Sequence, residues 1–193
     1  MRTPLPEIVT QRDGQLLLNL ARESIKQGLP GGRGPVVDLH GWPDSLRKPG
    51  ASFVTLTLDD QLRGCIGHLE ATQPLLKDVV ENASRAAFSD PRFAPLTTKE
   101  FKYVELSISI LSSPEPILFT SEDDLLTKVR PGIDGLILKQ GAYQGTFLPS
   151  VWQSLPRPVE FLRRLKLKAG LHEEYWSDSV QVLRYTTQQI KPV

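Results

Sequence analysis

The chain has 193 residues, 39% hydrophobic and 23% charged, with 23 Lys and Arg against 22 Asp and Glu. That length suits one domain, or two small subdomains sharing a core. The balanced charge lacks the positive excess that tight nucleic-acid binding draws on, and no apolar run approaches a membrane span, so neither nucleic acid nor membrane is expected as a partner.

One cysteine excludes an internal disulfide and a cysteine-built structural zinc site. The opening "MRTPLPEIVTQRDG" carries no apolar leader, so the expected compartment is the cytoplasm.

In chain order, "DGQLLLNLARESIKQG" predicts a helix with Leu17, Ala21 and Ile25 on one face, Gly28 as its stop, and a sheet beneath it. Pro30, Pro35, Pro43 and Pro49 then predict a long irregular connector. Its "GGRGP" is half of a phosphate-binding glycine loop, but no strand precedes it and Pro35 removes an amide donor, so no nucleotide site is assigned.

A repeat follows. At an offset of about 81 residues, "FVTLTLDDQLRGCIG" falls on "GLILKQGAYQGTFLP", with Leu56 on Ile137, Gly64 on Gly145 and Ile66 on Phe147. Both read as strand, polar turn, strand, the turns being "DDQ" and "KQGA". After the first hairpin, Leu75, Leu76, Val79, Val80, Ala83, Ala86 and Ala87 make the stripe of an amphipathic helix, with Thr72 as cap and Pro74 in its first turn. After the second, Pro158 opens "PVEFLRRLKLKAG" and Gly170 closes it. The strands "YVELSISIL" and "SVQVLRYTT" complete the two copies.

Between them, Ser121 and Asp124 stand at capping-box spacing, predicting a short helix ended by Pro131 and Gly132. The cluster "RRLKLK", Arg163 to Lys168, reads as a solvated end of the second long helix. The expected fold is therefore α+β. It has duplicated β-β-α-β units over 51–113 and 132–188, mainly antiparallel sheets and flanking helices.

The chemistry concentrates in "QLRGCIGHLE". On a regular strand Arg63 and Cys65 share a face, and a guanidinium near a thiol favours the reactive thiolate. Gly64 and Gly67 clear side chains from around Cys65, for a substrate or for another backbone. His68 falls on the opposite face unless the strand ends or bulges at Gly67. The alternative is a buried, inert thiol.

In "AAFSDPRFAPL", Asp90 precedes proline, which places Asp90 and Arg92 in a tight turn, holding each other or presenting an anion-binding arginine; Phe88 and Phe93 read as core. Cys65 and His68 have ligand-like spacing, but His40 and His172 are distant and no third ligand is implied, so no metal is assigned. Without a P-loop, a Gly-x-Ser-x-Gly elbow or a His-Glu-x-x-His helix, no cofactor is assigned either.

At "FVTL" (53–56), "LRGCIG" (62–67), "AAFSDPRF" (86–93), "GIDGLIL" (132–138), "TFLPSVW" (146–152) and "FLRRLKLKAGL" (161–171), the sequence resembles the AMMECR domain family, whose bacterial and archaeal members are called AmmeMemoRadiSam system protein A. The resemblance spans nearly the whole chain. It implies an α+β fold of two intimately joined subdomains and a cleft bordered by the "LRGCIG" hairpin. Arg63, Cys65 and His68 are its catalytic candidates, and Asp90 and Arg92 its ligand-binding candidates. It also implies a shared pathway with a Memo-like protein and a radical SAM protein. Ser150 and Ser107 depart from it: many members carry glutamine at the first position and a carboxylate at the second.

Two functions compete. One is an enzyme acting on a small molecule or modified residue, with Cys65 as nucleophile, Arg63 and Arg92 binding an anion, and His68 carrying protons. The other is a non-catalytic binding or adaptor protein.

Overall fold

The computed structural model describes residues 7–29, 38 and 40–192, and the chain divides into two compact units, Met1–Leu111 with Gln188–Val193, and Ser112–Thr187. The "GGRGP" loop lies outside the described residues.

In the first unit, helix α1 (Gln11–Gly28) starts where the Thr10 side chain accepts from the Asp13 amide, and Leu17, Ala21 and Ile25 are buried. Within the connector, Asp44–Arg47 forms a one-turn helix, α2. Strands β1 (Ala51–Leu58) and β2 (Gln61–Gly67) form an antiparallel hairpin whose turn residues, Asp59 and Asp60, both have positive φ, at 50° and 60°. That backbone suits the right-handed twist of a two-residue hairpin. Helix α3 (Leu75–Phe88) follows, then the single turn α4 (Thr98–Phe101) and strand β3 (Glu105–Leu111).

The sheet order is β2-β1-β3-β8, with β8 (Thr187–Ile190) returned from the end of the chain. Val54, Leu56, Leu106, Ile108 and Ile110 face the core that α1 and α3 complete. Helix α3 lies on β1 and β2, and α1 packs mainly on α3, with only a smaller approach to β3. The sheet contact expected for α1 is thus mostly a helix contact, because α3 is buried around most of its circumference and stands between the two. Pro74, not Thr72, occupies the N-cap of α3, and no side chain caps it.

The second unit contains β4 (Glu115–Pro116), α5 (Glu122–Lys128), β5 (Gly135–Gln140), β6 (Tyr143–Phe147), a 3-10 turn (Pro149–Gln153), α6 (Pro158–Lys168) and β7 (Gln181–Tyr185). Its order, β4-β7-β5-β6, is the first unit's order read backwards, so each hairpin carries one further strand beyond its third. Both sheets have antiparallel pairing and flanking helices, an α+β fold of duplicated β-β-α-β units. Phe161, Leu162 and Leu165 bury against Leu136 and Leu138, and Trp152 stacks on Phe161 with ring centroids 3.7 Å apart.

Three further expectations need correcting. Ser121 caps α5 by accepting from the Asp124 amide, but the Asp124 side chain turns to the Thr120 amide and Lys128, and the helix stops at Lys128, ahead of Pro131. The basic cluster is not all solvated: Lys166 is buried, with Nζ 2.7 Å from Glu122 and above the Trp176 ring. The repeat also slips by one residue in its first strand. Leu56 opposes Gly64 while Leu138, not Ile137, opposes Gly145.

Candidate functional site

The slip has a cause in β2. Leu56 opposes Gly64 but Thr57 opposes Leu62, which leaves Arg63 unpaired in a β-bulge. A bulge reverses which residues face which side beyond it. Gly64 therefore faces α3, where a Cβ would stand 2.2 Å from the Ala86 carbonyl oxygen, and Cys65 turns to the other face of the sheet.

There Cys65 is half-buried and opposite Thr55, whose Oγ1 donates to Sγ at 3.3 Å. Thr55 in turn opposes Ser107 of β3. Cys65, Thr55 and Ser107 thus form one row across the face that the helices leave uncovered.

The SDPRF turn closes on the same strand. Asp90, buried, accepts the Cys65 amide proton at 2.9 Å and grips Arg92 with both oxygens, Nε to Oδ1 at 3.0 Å and Nη2 to Oδ2 at 2.7 Å. Nη2 of Arg92 also donates to the Cys65 carbonyl at 3.2 Å. Arg92 holds the Asp90 carboxyl far below the usual carboxylate range, burial opposing it and the Cys65 and Arg92 amides assisting. The guanidinium of Arg92 is shifted upward in return, first by its bond to Asp90 and, to a smaller degree, by Cys65.

Arg63, released by the bulge, turns to Glu100. Its Nε and Nη2 donate to the two carboxylate oxygens at 2.8 and 3.2 Å, and Nη2 also reaches the Ala94 carbonyl at 2.9 Å. Glu100 is lowered to about 2, chiefly by Arg63 and then by the Thr97 amide, with burial opposing. Its Oε2 also closes the capping box with Thr97. Phe93, read as core, is half-buried beneath both guanidiniums, at 5.8 Å from Arg63 and 5.5 Å from Arg92.

His68 goes elsewhere. Its amide donates to Ser52, its Nδ1 lies 2.6 Å from Asp78 on α3, and its Nε2 lies 3.1 Å from Arg85. Of the five residues singled out in the sequence, the structure gathers Cys65, Asp90 and Arg92 through direct hydrogen bonds. It adds Arg63 through Phe93 and sends His68 to the helix side.

Thr55, Asp78, Arg85 and Glu100 escape sequence reading. A regular hairpin counted from the Asp59–Asp60 turn sets Gly64 opposite Thr55, and only the bulge brings Cys65 there. Asp78 sits inside the apolar stripe of α3, and that misplaced carboxylate is the one legible signal. Among the described residues, no group of three or more His, Cys, Asp or Glu side chains is placed to hold a metal ion, and no helix is long and apolar enough to cross a membrane.

The AMMECR1 family model matches residues 18–190. A protein of Thermofilum pendens is 36% identical over 196 residues, covering 93% of this chain and 90% of that protein. A protein of Methanocaldococcus jannaschii is 34% identical over 190 residues, covering 96% and 93%. The crystal structure of an uncharacterized protein from Pyrococcus horikoshii is similar with a TM-score of 0.86 at 30% identity, over 95% of this chain and 93% of that one.

Proposed function

Because the chain belongs to the AMMECR1 family, we propose that it is a cytoplasmic enzyme-like protein with a thiol-centred site acting on a small anionic molecule or a modified residue. On this reading it works in a pathway with Memo-like and radical SAM proteins. Cys65 is the attacking or ligand-holding atom, Thr55 supports its sulfur, and Arg92 receives the anionic group. Arg63 acts at one remove, by fixing the 94–100 segment through Glu100 and Ala94.

The observation that carries this reading is the Thr55 hydroxyl on a half-buried sulfur, 3.3 Å away, beside an arginine whose direction is fixed by Asp90. A hydroxyl donor and a nearby cation both favour the thiolate, the form that attacks electrophiles. Arg92 keeps 52% of its side chain exposed, so one side of the guanidinium is open to a ligand.

The test is the rate of Cys65 alkylation by iodoacetamide across pH, in the folded protein, in urea, and in Thr55→Val and Arg92→Gln variants. Faster alkylation near neutral pH in the folded protein than in urea, slowed by either substitution, supports the proposal. Protection at every pH sinks it. A second reading, a non-catalytic binding or adaptor protein for those partners, is favoured by a different observation: Arg63 and Arg92 each already hold a carboxylate. Retained partner binding in a Cys65→Ala variant supports that reading.

A further inference from the structure

The surroundings of His68 form a closed circuit of side chains. A guanidinium can only donate, so Arg85 Nη1 donates to His68 Nε2, and the ring proton lies on Nδ1, from which it is donated to Asp78 Oδ1. The other oxygen of Asp78 accepts from the Ser52 amide at 2.8 Å, the Ser52 hydroxyl at 2.7 Å and the Asn82 amide group at 2.9 Å. Only 1% of Asp78 is exposed, and in the same cluster the buried Asn82 Oδ1 has no hydrogen-bond partner among the described residues. Glu81, 3.7 Å from Arg85, accepts from Gln73 Nε2 at 2.9 Å, and Gln73 Nε2 closes the circuit by reaching Asp78 Oδ1 at 3.5 Å.

The result is an imidazole oriented by a fixed carboxylate, with its Nε2 turned toward a half-exposed arginine. Asp78 Oδ2 satisfies the buried Ser52 and Asn82 groups, but that task leaves Oδ1 directed at a partly exposed imidazole, which the buried network does not itself require. A carboxylate behind Nδ1 makes Nε2 a better proton acceptor and steadies the imidazolium that forms.

We propose that His68 is a second reactive centre, on the face of β2 opposite Cys65, that accepts a proton from a small carboxylate- or phosphate-bearing ligand. In the free protein Arg85 covers Nε2. The ligand's anionic group draws the guanidinium away and uncovers the lone pair. The uncovered Nε2 then takes a proton from the ligand, leaving the ligand's conjugate base beside the Arg85 guanidinium and an imidazolium paired with Asp78. Glu81 is the internal competitor for Arg85. None of this depends on Cys65 reacting.

The chain holds three histidines, and His40 and His172 are exposed while His68 is half-buried, so the two others serve as internal references. Carbethoxylation by diethyl pyrocarbonate, followed at each histidine by mass spectrometry, is measured against inorganic phosphate at constant ionic strength. Removing a charge-assisted hydrogen bond from Nε2 is expected to raise the His68 rate on the order of tenfold, with His40 and His172 unchanged. Arg85→Ala should give the raised rate without phosphate and abolish the response, and Glu81→Gln should bring the response to lower phosphate concentration.

Asp78→Asn, if it folds, should slow His68 even with phosphate present. A His68 rate that ignores both phosphate and Arg85→Ala, or that stays below both exposed histidines throughout, overturns the proposal and leaves a structural tie. The Arg85 and Glu81 variants alter half-exposed side chains, so the outcome does not hang on the buried carboxylate.

Discussion

Arg92 donates to the carbonyl oxygen of Cys65 at 3.2 Å while Asp90, gripping the same guanidinium, takes the Cys65 amide proton at 2.9 Å. Since β2 is an edge strand, these two backbone groups point where a neighbouring strand would lie, and the ion pair satisfies them as that strand would. Asp90→Asn keeps the shape and removes the charge. With Arg92 half in solvent, the expected loss of stability is about 2 kcal/mol by urea unfolding. An unchanged urea midpoint would mean that the pair is not what seals the edge.

Acid should act through the same two loops. Asp90 is held far below the ordinary carboxylate range by Arg92, and Glu100 is lowered to about 2 by Arg63. A carboxylate depressed in the folded state contributes stability above its unfolded value of about 4 and loses it as pH falls through its folded value. Unfolding free energy should therefore drop between about pH 4 and pH 2. The slope should be shallower in an Asp90→Asn, Glu100→Gln double variant. Equal slopes would locate the acid sensitivity elsewhere.

The two hairpin glycines make the duplication testable. A Cβ on Gly64 would lie 2.2 Å from the Ala86 carbonyl oxygen, and one on Gly145 would lie 2.9 Å from the Ala169 amide nitrogen. Both let a helix rest on the second strand of its hairpin. Backbone cannot yield as a side-chain tip can, so Gly64→Ala should cost about 3 kcal/mol and Gly145→Ala about 1 to 2. Thermal unfolding orders them, and a larger effect at Gly145 would contradict this geometry.

The architecture was legible because each unit repeats the same pattern. Alternation in Val54 and Leu56, the apolar stripes from Leu75 and Phe161, and the glycine pair carry strand, helix and close approach in one-dimensional spacing. The site was legible only as a set of residues. Arg63 and Cys65 are two apart, yet one unpaired residue decides their faces, and a bulge leaves no mark in polarity. Asp90 and Arg92 were readable as a turn, but their hold on the β2 edge joins residues 25 and 27 apart in sequence. The same spacing that hid Thr55 from Cys65 also hid Asp78 from His68.

The turn that starts this hairpin gives the last prediction. Asp60 has φ 60°, a left-handed conformation that aspartate tolerates and glycine adopts without penalty, and it stands beside Asp59 with the same charge. Asp60→Gly should stabilise the protein by up to about 1 kcal/mol, less the entropy that glycine adds to the unfolded chain. The bulge lies between this turn and Cys65 and absorbs the extra residue before the Thr55 pairing begins. Urea unfolding should thus shift upward while the Cys65 alkylation rate stays constant. A changed alkylation rate would mean that turn geometry passes through the bulge to the Thr55 and Cys65 contact.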